Sequence, residues 1–160
     1  MSLSHRLEKC YSGAVHDVLL AMGHRDCVLP PEIRPLDPHR RLAGEVFTVS
    51  GHSDESLDDH ETLLQWTGML SRVPANTVAV CQPHDNTMSH MGELSAETLK
   101  LRGVLGYVVD GGCRDSEFIY QIGFRVFCKY YTPKDIVGRW VPDAFGEPIQ
   151  IGEVTIQLPS

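Results

Sequence analysis

Two runs constrain this chain more than any others: Met91-Gly92-Glu93-Leu94-Ser95-Ala96, and then Val108-Val109-Asp110-Gly111-Gly112-Cys113-Arg114-Asp115. They read as a glycine opening a helix, a strand apolar enough to be buried on both faces, and a glycine turn ending in an Arg-Asp pair. This order can bring the start of the helix and the end of the strand to one mouth. Backbone N–H groups at a helix start attract anions. An arginine grips a carboxylate with a two-pronged hydrogen bond, and one carboxylate plus several waters is a normal way to hold Mg²⁺. Together these parts predict a place for a divalent metal and an anionic, oxygen-rich small molecule.

The rest of the pattern supplies a frame. Leu3, Leu7, Cys10, Tyr11 and Ala14 recur at helical spacing, as do Val15, Val18, Leu19 and Met22. Ser12-Gly13 divides this stretch into two helices, with Ser12 expected to cap the second and Gly23 to end it. Four prolines between Pro30 and Pro38 exclude a helix there. A short strand is expected around 46–50, a helix over 57–71, and a β-branched strand over 77–81. Gly92 opens a helix that Gly103 ends, a buried strand covers 104–109, a short helix runs from 114 to 122, and a strand covers 124–128. The tail carries Pro142, Gly146 and Pro148 before a final strand over 153–158. Helices alternate with strands, so the class is α/β, with residues 77 to 128 forming a parallel β-α-β-α-β unit.

Composition removes several classes. A chain of 160 residues is long enough for one domain with a real core. A net charge of −7 argues against direct nucleic-acid binding, which needs a basic face. No run of about 18 apolar residues predicts a membrane span. The residues Met1 to Cys10 lack the apolar stretch of a signal peptide. The five cysteines, Cys10, Cys27, Cys81, Cys113 and Cys128, are scattered and form no Cys-x-x-Cys pair, which fits a reduced, cytoplasmic protein. Cys113 reads as a core residue rather than a nucleophile.

Chemistry therefore rests on a few positions. Asp115 is the expected ligand of Mg²⁺ or Mn²⁺, the metal acting as a Lewis acid on a 2-oxo acid. Arg114 and the amides of Gly92, Glu93, Leu94 and Ser95 are expected to hold the carboxylates of that substrate. The competing reading of Arg114-Asp115 is a helix cap or a surface ion pair. His84, Asp85, Asn86 and His90 read as a polar loop that can face the same mouth. The acidic stretch from His52 to Glu61 reads as a solvated helix start. The candidates for a Schiff-base lysine, Lys9, Lys100, Lys129 and Lys134, stand away from the Arg-Asp pair in sequence, which favours metal chemistry over covalent chemistry.

On these residues the chain resembles the RraA-like family, from about Ser12 to the C-terminus. The most specific parts are Gly92-Glu93-Leu94-Ser95-Ala96, Arg102-Gly103-Val104-Leu105-Gly106 and Asp110-Gly111-Gly112-Cys113-Arg114-Asp115. Ala14 to Gly23, and Arg41-Leu42-Ala43-Gly44 on to Val49, match more loosely. The family contains regulators of ribonuclease E activity and metal-dependent 4-hydroxy-4-methyl-2-oxoglutarate aldolases. Some members carry the name demethylmenaquinone methyltransferase, which their sequences do not support. The resemblance implies the swivelling β/β/α fold over a single domain, 1–160, assembled as homotrimers or hexamers with sites between subunits. It also implies that the matches of Gly92 to Ser95 and of Arg114 bind substrate, and that the match of Asp115 binds the metal.

The implied activity is that of a class II pyruvate aldolase, cleaving a 4-hydroxy-2-oxo acid to pyruvate and decarboxylating oxaloacetate as a side reaction. The alternative is a non-catalytic regulator that binds a ribonuclease. Two departures bear on the choice. Aldolase members tend to carry an acidic residue three positions after the metal-binding Asp, where this chain has Phe118, with Glu117 one place earlier. Members also usually continue beyond the equivalent of Ser160 with another Gly-Asp turn and strand, and a later segment brings an acidic residue into the neighbouring subunit's site. The expectation is of a chain truncated relative to that pattern.

Overall fold

In the computed structural model, which describes residues 1–160, the predicted buried strands become the middle of a six-stranded sheet. The elements in chain order are α1 (Leu3–Glu8), α2 (Ser12–Ala21), β1 (Arg34–Pro35), β2 (Glu45–Ser53), α3 (Asp59–Arg72), β3 (Thr77–Gln82), α4 (Glu93–Leu101) and β4 (Gly106–Val109). There follow β5 (Gly112–Cys113), α5 (Ser116–Ile122), β6 (Arg125–Cys128), β7 (Tyr130–Tyr131), β8 (Trp140–Phe145), β9 (Ile149–Ile151) and β10 (Val154–Ile156). The sheet order is β1-β6-β4-β3-β2-β8. The four inner strands are parallel, and both edge strands run antiparallel to their neighbours. The α/β class and the parallel β-α-β-α-β unit are as the sequence predicts.

Strands β2, β3, β4 and β6 lie side by side in chain order, so every crossover steps the same way. Crossovers of one hand then place their helices on one face. That face packs Trp66, Met69 and Leu70 of α3, Ala96 and Leu99 of α4, and Ile119 of α5 against Ala79, Cys81, Tyr107 and Val109 of the strands. Alternation along the strands sends Val78, Val80 and Val108 to the other face, where Ile149 and Ile151 of β9 pack with Leu29, Ile33 and Leu42. Several helix boundaries fall where the punctuation predicts. Asp58 caps α3, its Oδ1 accepting from the Glu61 N–H at 2.7 Å, so Asp58 to Glu61 are a helix start as expected, whereas His52, at the other end of the acidic stretch, lies in β2. Gly23, Gly103 and Gly123 take φ of +92°, +82° and +74° at the ends of α2, α4 and α5.

Two expectations need correction, and a further strand appears that the sequence reading did not include. Ser12 does not cap α2 but is its first residue, because the Val15 N–H closes the opening turn on the Tyr11 carbonyl at 3.3 Å. The tail is not one strand over 153–158: β9 and β10 form an antiparallel hairpin outside the main sheet, turned at Gly152 with φ +59°. The stretch around Pro142 is strand β8. Proline lacks an N–H, yet Pro142 is tolerated because β8 is an edge strand and the register shifts between Ser50 and Gly51, opposite it.

The loop between β3 and α4 is not a uniformly polar surface. His90 is fully buried. Its Nδ1 accepts from the Gly112 N–H at 3.2 Å, which leaves Nε2 to donate to Asp85 Oδ2 at 3.1 Å. The Tyr107 hydroxyl donates to the His90 carbonyl at 2.9 Å, and the Trp140 ring meets the imidazole edge-on at 5.4 Å. Burial depresses the His90 pKa to about 4, against the opposing pull of Asp85. His90 is therefore a neutral strut between the loop and the Gly111-Gly112 turn.

Two outcomes follow from this packing. A Cβ at Gly51 would overlap the Trp140 ring and the Val141 carbonyl oxygen, so Gly51→Ala is expected to lower stability by about 1–3 kcal/mol in urea unfolding; a wild-type midpoint would refute the overlap. For His90, the unfolded chain takes up a proton at its ordinary pKa of 6.5 while the folded chain resists until about 4. Stability therefore falls as pH drops through that window, by up to roughly 3 kcal/mol from this group. Urea midpoints of wild type and His90→Gln between pH 7 and pH 4 check it: the variant is expected to lose this part of the slope.

Candidate functional site

The mouth lies at the carboxyl ends of β3 and β4, where α4 and α5 begin. Parallel pairing of the two strands sets these helix starts side by side. Gly92 occupies the cap position of α4 and Asp115 that of α5. The Arg114 N–H donates to the Met91 carbonyl at 2.9 Å, and the Glu93 N–H donates to Asp115 Oδ2 at 3.1 Å. The residues predicted from the two runs are thus joined directly. A Cβ on Gly92 would lie 3.1 Å from Asp115 Oδ2 and 3.4 Å from Arg114 Nε, so glycine is what gives both side chains room. Asp115 has φ +57°, in the left-handed region that aspartate tolerates better than most residues.

Arg114 and Asp115 are 41% and 38% exposed, open to a ligand yet held at one side. Arg114 Nε stands 3.8 Å from Asp115 Oδ2, and Nη1 stands 3.6 Å from Asp135 Oδ2. Asp135 is itself held by Arg139 at 2.8 Å. Arg114 and Asp115 line an open cleft of about 300 Å³ with Tyr131, Thr132 and Pro133. Sequence reasoning missed this second wall. It is brought in by the pairing of β5 with β7, Gly112 opposite Tyr130 and Cys113 opposite Tyr131.

The helix start contributes unevenly. The amide of Glu93 is already engaged by Asp115, while those of Leu94 and Ser95 have no partner within the protein. The Leu94 side chain is 78% exposed. Ser95 Oγ accepts from Trp66 Nε1 at 2.8 Å, anchoring the first turn of α4 on α3. Phe118, in the first turn of α5, is 46% exposed, and Glu117 is exposed beside it.

Other candidates stand aside. Lys100 Nζ donates to the Ile122 carbonyl, Lys129 pairs with Asp110 at 3.0 Å, and Lys134 does not line the cleft. Cys113 is fully buried, and a hydrogen bond with Cys128 together with burial raises its thiol pKa, so it stays protonated. His84 Nδ1 lies 3.0 Å from the Gly51 carbonyl.

The donor set decides which metal suits the cleft. No three His, Cys, Asp or Glu side chains converge, so a zinc-type cage is not formed here. Asp115 has one oxygen tied to the Glu93 amide and Oδ1 free of protein partners. One free carboxylate oxygen suits a hard cation that keeps several waters, such as Mg²⁺ or Mn²⁺.

Known proteins of similar sequence and structure bear on this arrangement. A protein of Halalkalibacterium halodurans named "Putative 4-hydroxy-4-methyl-2-oxoglutarate aldolase" is 27% identical over 104 residues, 65% of this chain and 47% of that protein. The chain spans about half the length of the curated relatives it matches. A crystal structure described as one of novel cellulases from microbes associated with the gut ecosystem superposes with a TM-score of 0.89 at 30% identity, covering 98% of this chain and 70% of that one. The Streptomyces coelicolor protein RraAS2, described as an unusual member of the RNase ES inhibitor RraA family, superposes with a TM-score of 0.81 at 23% identity, covering 98% of this chain and 76% of that one. The family model for RraA-like proteins, described as Aldolase/RraA, matches residues 12–158, and with this fold around the Gly92–Asp115 mouth the chain belongs to the RraA-like family.

Proposed function

We propose that this protein is a divalent-metal-dependent lyase that cleaves a 4-hydroxy-2-oxo acid to release pyruvate, and that oxaloacetate decarboxylation is its second activity. The observation that carries this reading is the junction of Arg114, Asp115 and the start of α4 in one open cleft. A protein of this family that only bound a partner would not require a carboxylate with one free oxygen beside a guanidinium and two open amides.

Asp115 is the residue that would hold Mg²⁺ or Mn²⁺, and the bound metal would supply Lewis-acid polarisation of the 2-oxo acid. Everything else falls to the chain. The Arg114 guanidinium binds the substrate carboxylate and offsets negative charge as it develops on the pyruvate half. The open amides of Leu94 and Ser95 orient the same anionic end at the positive end of the α4 dipole. Asp135, held by Arg139, keeps Arg114 from swinging out into solvent. Residues 1–160 act as one domain in this reading, in a cytoplasmic homotrimer or hexamer with sites between subunits.

A specific observation favours a second reading, that of a regulator binding a ribonuclease. Leu94 and Phe118 expose apolar surface on the first turns of α4 and α5, and the chain is strongly acidic. A partner could dock there with no use for a metal.

The two readings separate in one assay: pyruvate release from 4-hydroxy-4-methyl-2-oxoglutarate and from oxaloacetate, with Mg²⁺ or Mn²⁺ and then with EDTA. Metal-dependent release from either substrate is expected. Asp115→Ala is expected to abolish it, and unchanged turnover would end this mechanism. Arg114→Lys keeps the charge but loses the fork, and kcat/KM is expected to fall on the order of 100-fold; normal kinetics would remove Arg114 from the site. No pyruvate from any arm, with ribonuclease capture that is insensitive to EDTA, would establish the regulator.

A further inference from the structure

A second cleft opens at the opposite end of the sheet. Its volume is about 430 Å³, and its lining is Glu8, Pro38, His39, Arg40, Arg41 and Arg125. Arg125 is the first residue of β6 and pairs with Gly106, the first of β4, whereas Arg114 and Asp115 follow the far end of β4. The two clefts are therefore separated by the length of the strand. Three arginines and one glutamate line it, on a chain whose net charge is −7. Local charge opposite in sign to that of the whole molecule is not explained by solubility.

Structural duty accounts for only part of the cluster. Arg125, with its side chain 19% exposed, ion-pairs with Glu8 and donates to the Arg41 carbonyl at 2.7 Å, tying α1 and the loop before β2 to the sheet. Arg40 Nη1 donates to the Gly123 carbonyl at 2.9 Å, and Arg41 Nη1 donates to the Lys9 carbonyl at 3.1 Å. Each of these two spends one N–H on the backbone, and neither has an acidic partner. A guanidinium carries five N–H groups in a rigid fork, so most of the donors of Arg40 and Arg41 stay open. The backbone bonds hold the forks in place, which lowers the entropy lost when an anion is gripped.

The geometry points to a second binding site in this cleft, for a multiply charged oxyanion of the phosphate class. Two forks that match tetrahedral oxygens suit it better than a monocarboxylate, which one arginine satisfies. The phosphate can be free or carried on a nucleotide, since both present the same oxygens to Arg40 and Arg41. The site is independent of the lyase reading, because it shares no residue with the Arg114–Asp115 cleft.

Calorimetric titration of the full chain at low ionic strength, without divalent metal, tests this with sodium pyrophosphate, ADP and acetate. Pyrophosphate is expected to bind one per chain, acetate not at all, and added salt is expected to weaken the binding. Arg40→Gln with Arg41→Gln is expected to weaken it about tenfold or more. Arg41→Gln alone, which leaves the Arg40 bond to α5 in place, gives the same direction without touching that helix end, and thermal melts verify folding. ADP binding more tightly than pyrophosphate assigns the site to a nucleotide; equal or weaker ADP binding assigns it to free phosphate. Arg114→Lys is expected to leave pyrophosphate binding unchanged. Absence of pyrophosphate binding, or its undiminished retention in the double variant, would overturn the proposal.

Discussion

The hydrogen bond from the Glu93 amide to the Asp115 carboxylate is the joint on which the mouth depends. It satisfies one of the donors that every helix start leaves open, and it places negative charge at the positive end of α4. It also fixes which oxygen of Asp115 is spent and which is free. With glycine at 92 the two helix starts meet without crowding the Asp115 carboxylate, which a Cβ there would approach to 3.1 Å. Arg114 is carried along by its backbone bond to Met91, so guanidinium and carboxylate arrive together.

Behind that joint stands a rigid support. Ser95 is anchored on Trp66, and the Gly111-Gly112 turn is held by His90, which Tyr107 and Trp140 wall in from the core. A charged imidazole in that position would face the Gly112 N–H with a second donor, which is why a neutral ring is built in. The aldolase and RraA branches of the family can share this scaffold, because the free Asp115 oxygen and the exposed apolar residues Leu94 and Phe118 lie on neighbouring parts of the same rim. Cation binding at Asp115 and docking at Leu94 or Phe118 would use different atoms.

What the sequence made legible was mostly local. Val78 to Cys81 and Tyr107 to Val109 announce buried parallel strands, because both faces of the sheet are covered. Gly92, Gly103 and Gly123 mark helix ends, because each does work there that other residues do poorly. The pairing of Gly92 with Asp115 was also readable, since a β-α-β crossover dictates which ends meet. Illegible features were those decided by distant partners. Pro142 argues against a strand until the shifted register at Gly51 is known. His90 looks like a loop residue until Trp140, fifty positions on, closes over it. Tyr131 to Asp135 carry no motif and reach the cleft through two short strands that periodicity cannot detect.

The helices at the start of the chain differ from the rest in one respect. Neither α1 nor α2 contributes a buried residue, whereas α3, α4 and α5 all enter the core. Named ties such as Arg125 to Glu8, and Arg41 to the Lys9 carbonyl, hold α1 against the body. The free energy needed to lift this arm of α1 and α2 away rests on these polar contacts and on half-buried residues such as Val15 and Leu19, while that of opening the sheet is set by the core. The molecule is therefore built with two tiers of cooperativity. Amides of the arm are expected to exchange with solvent through small local openings, and those of β3 and β4 only when the whole fold comes apart.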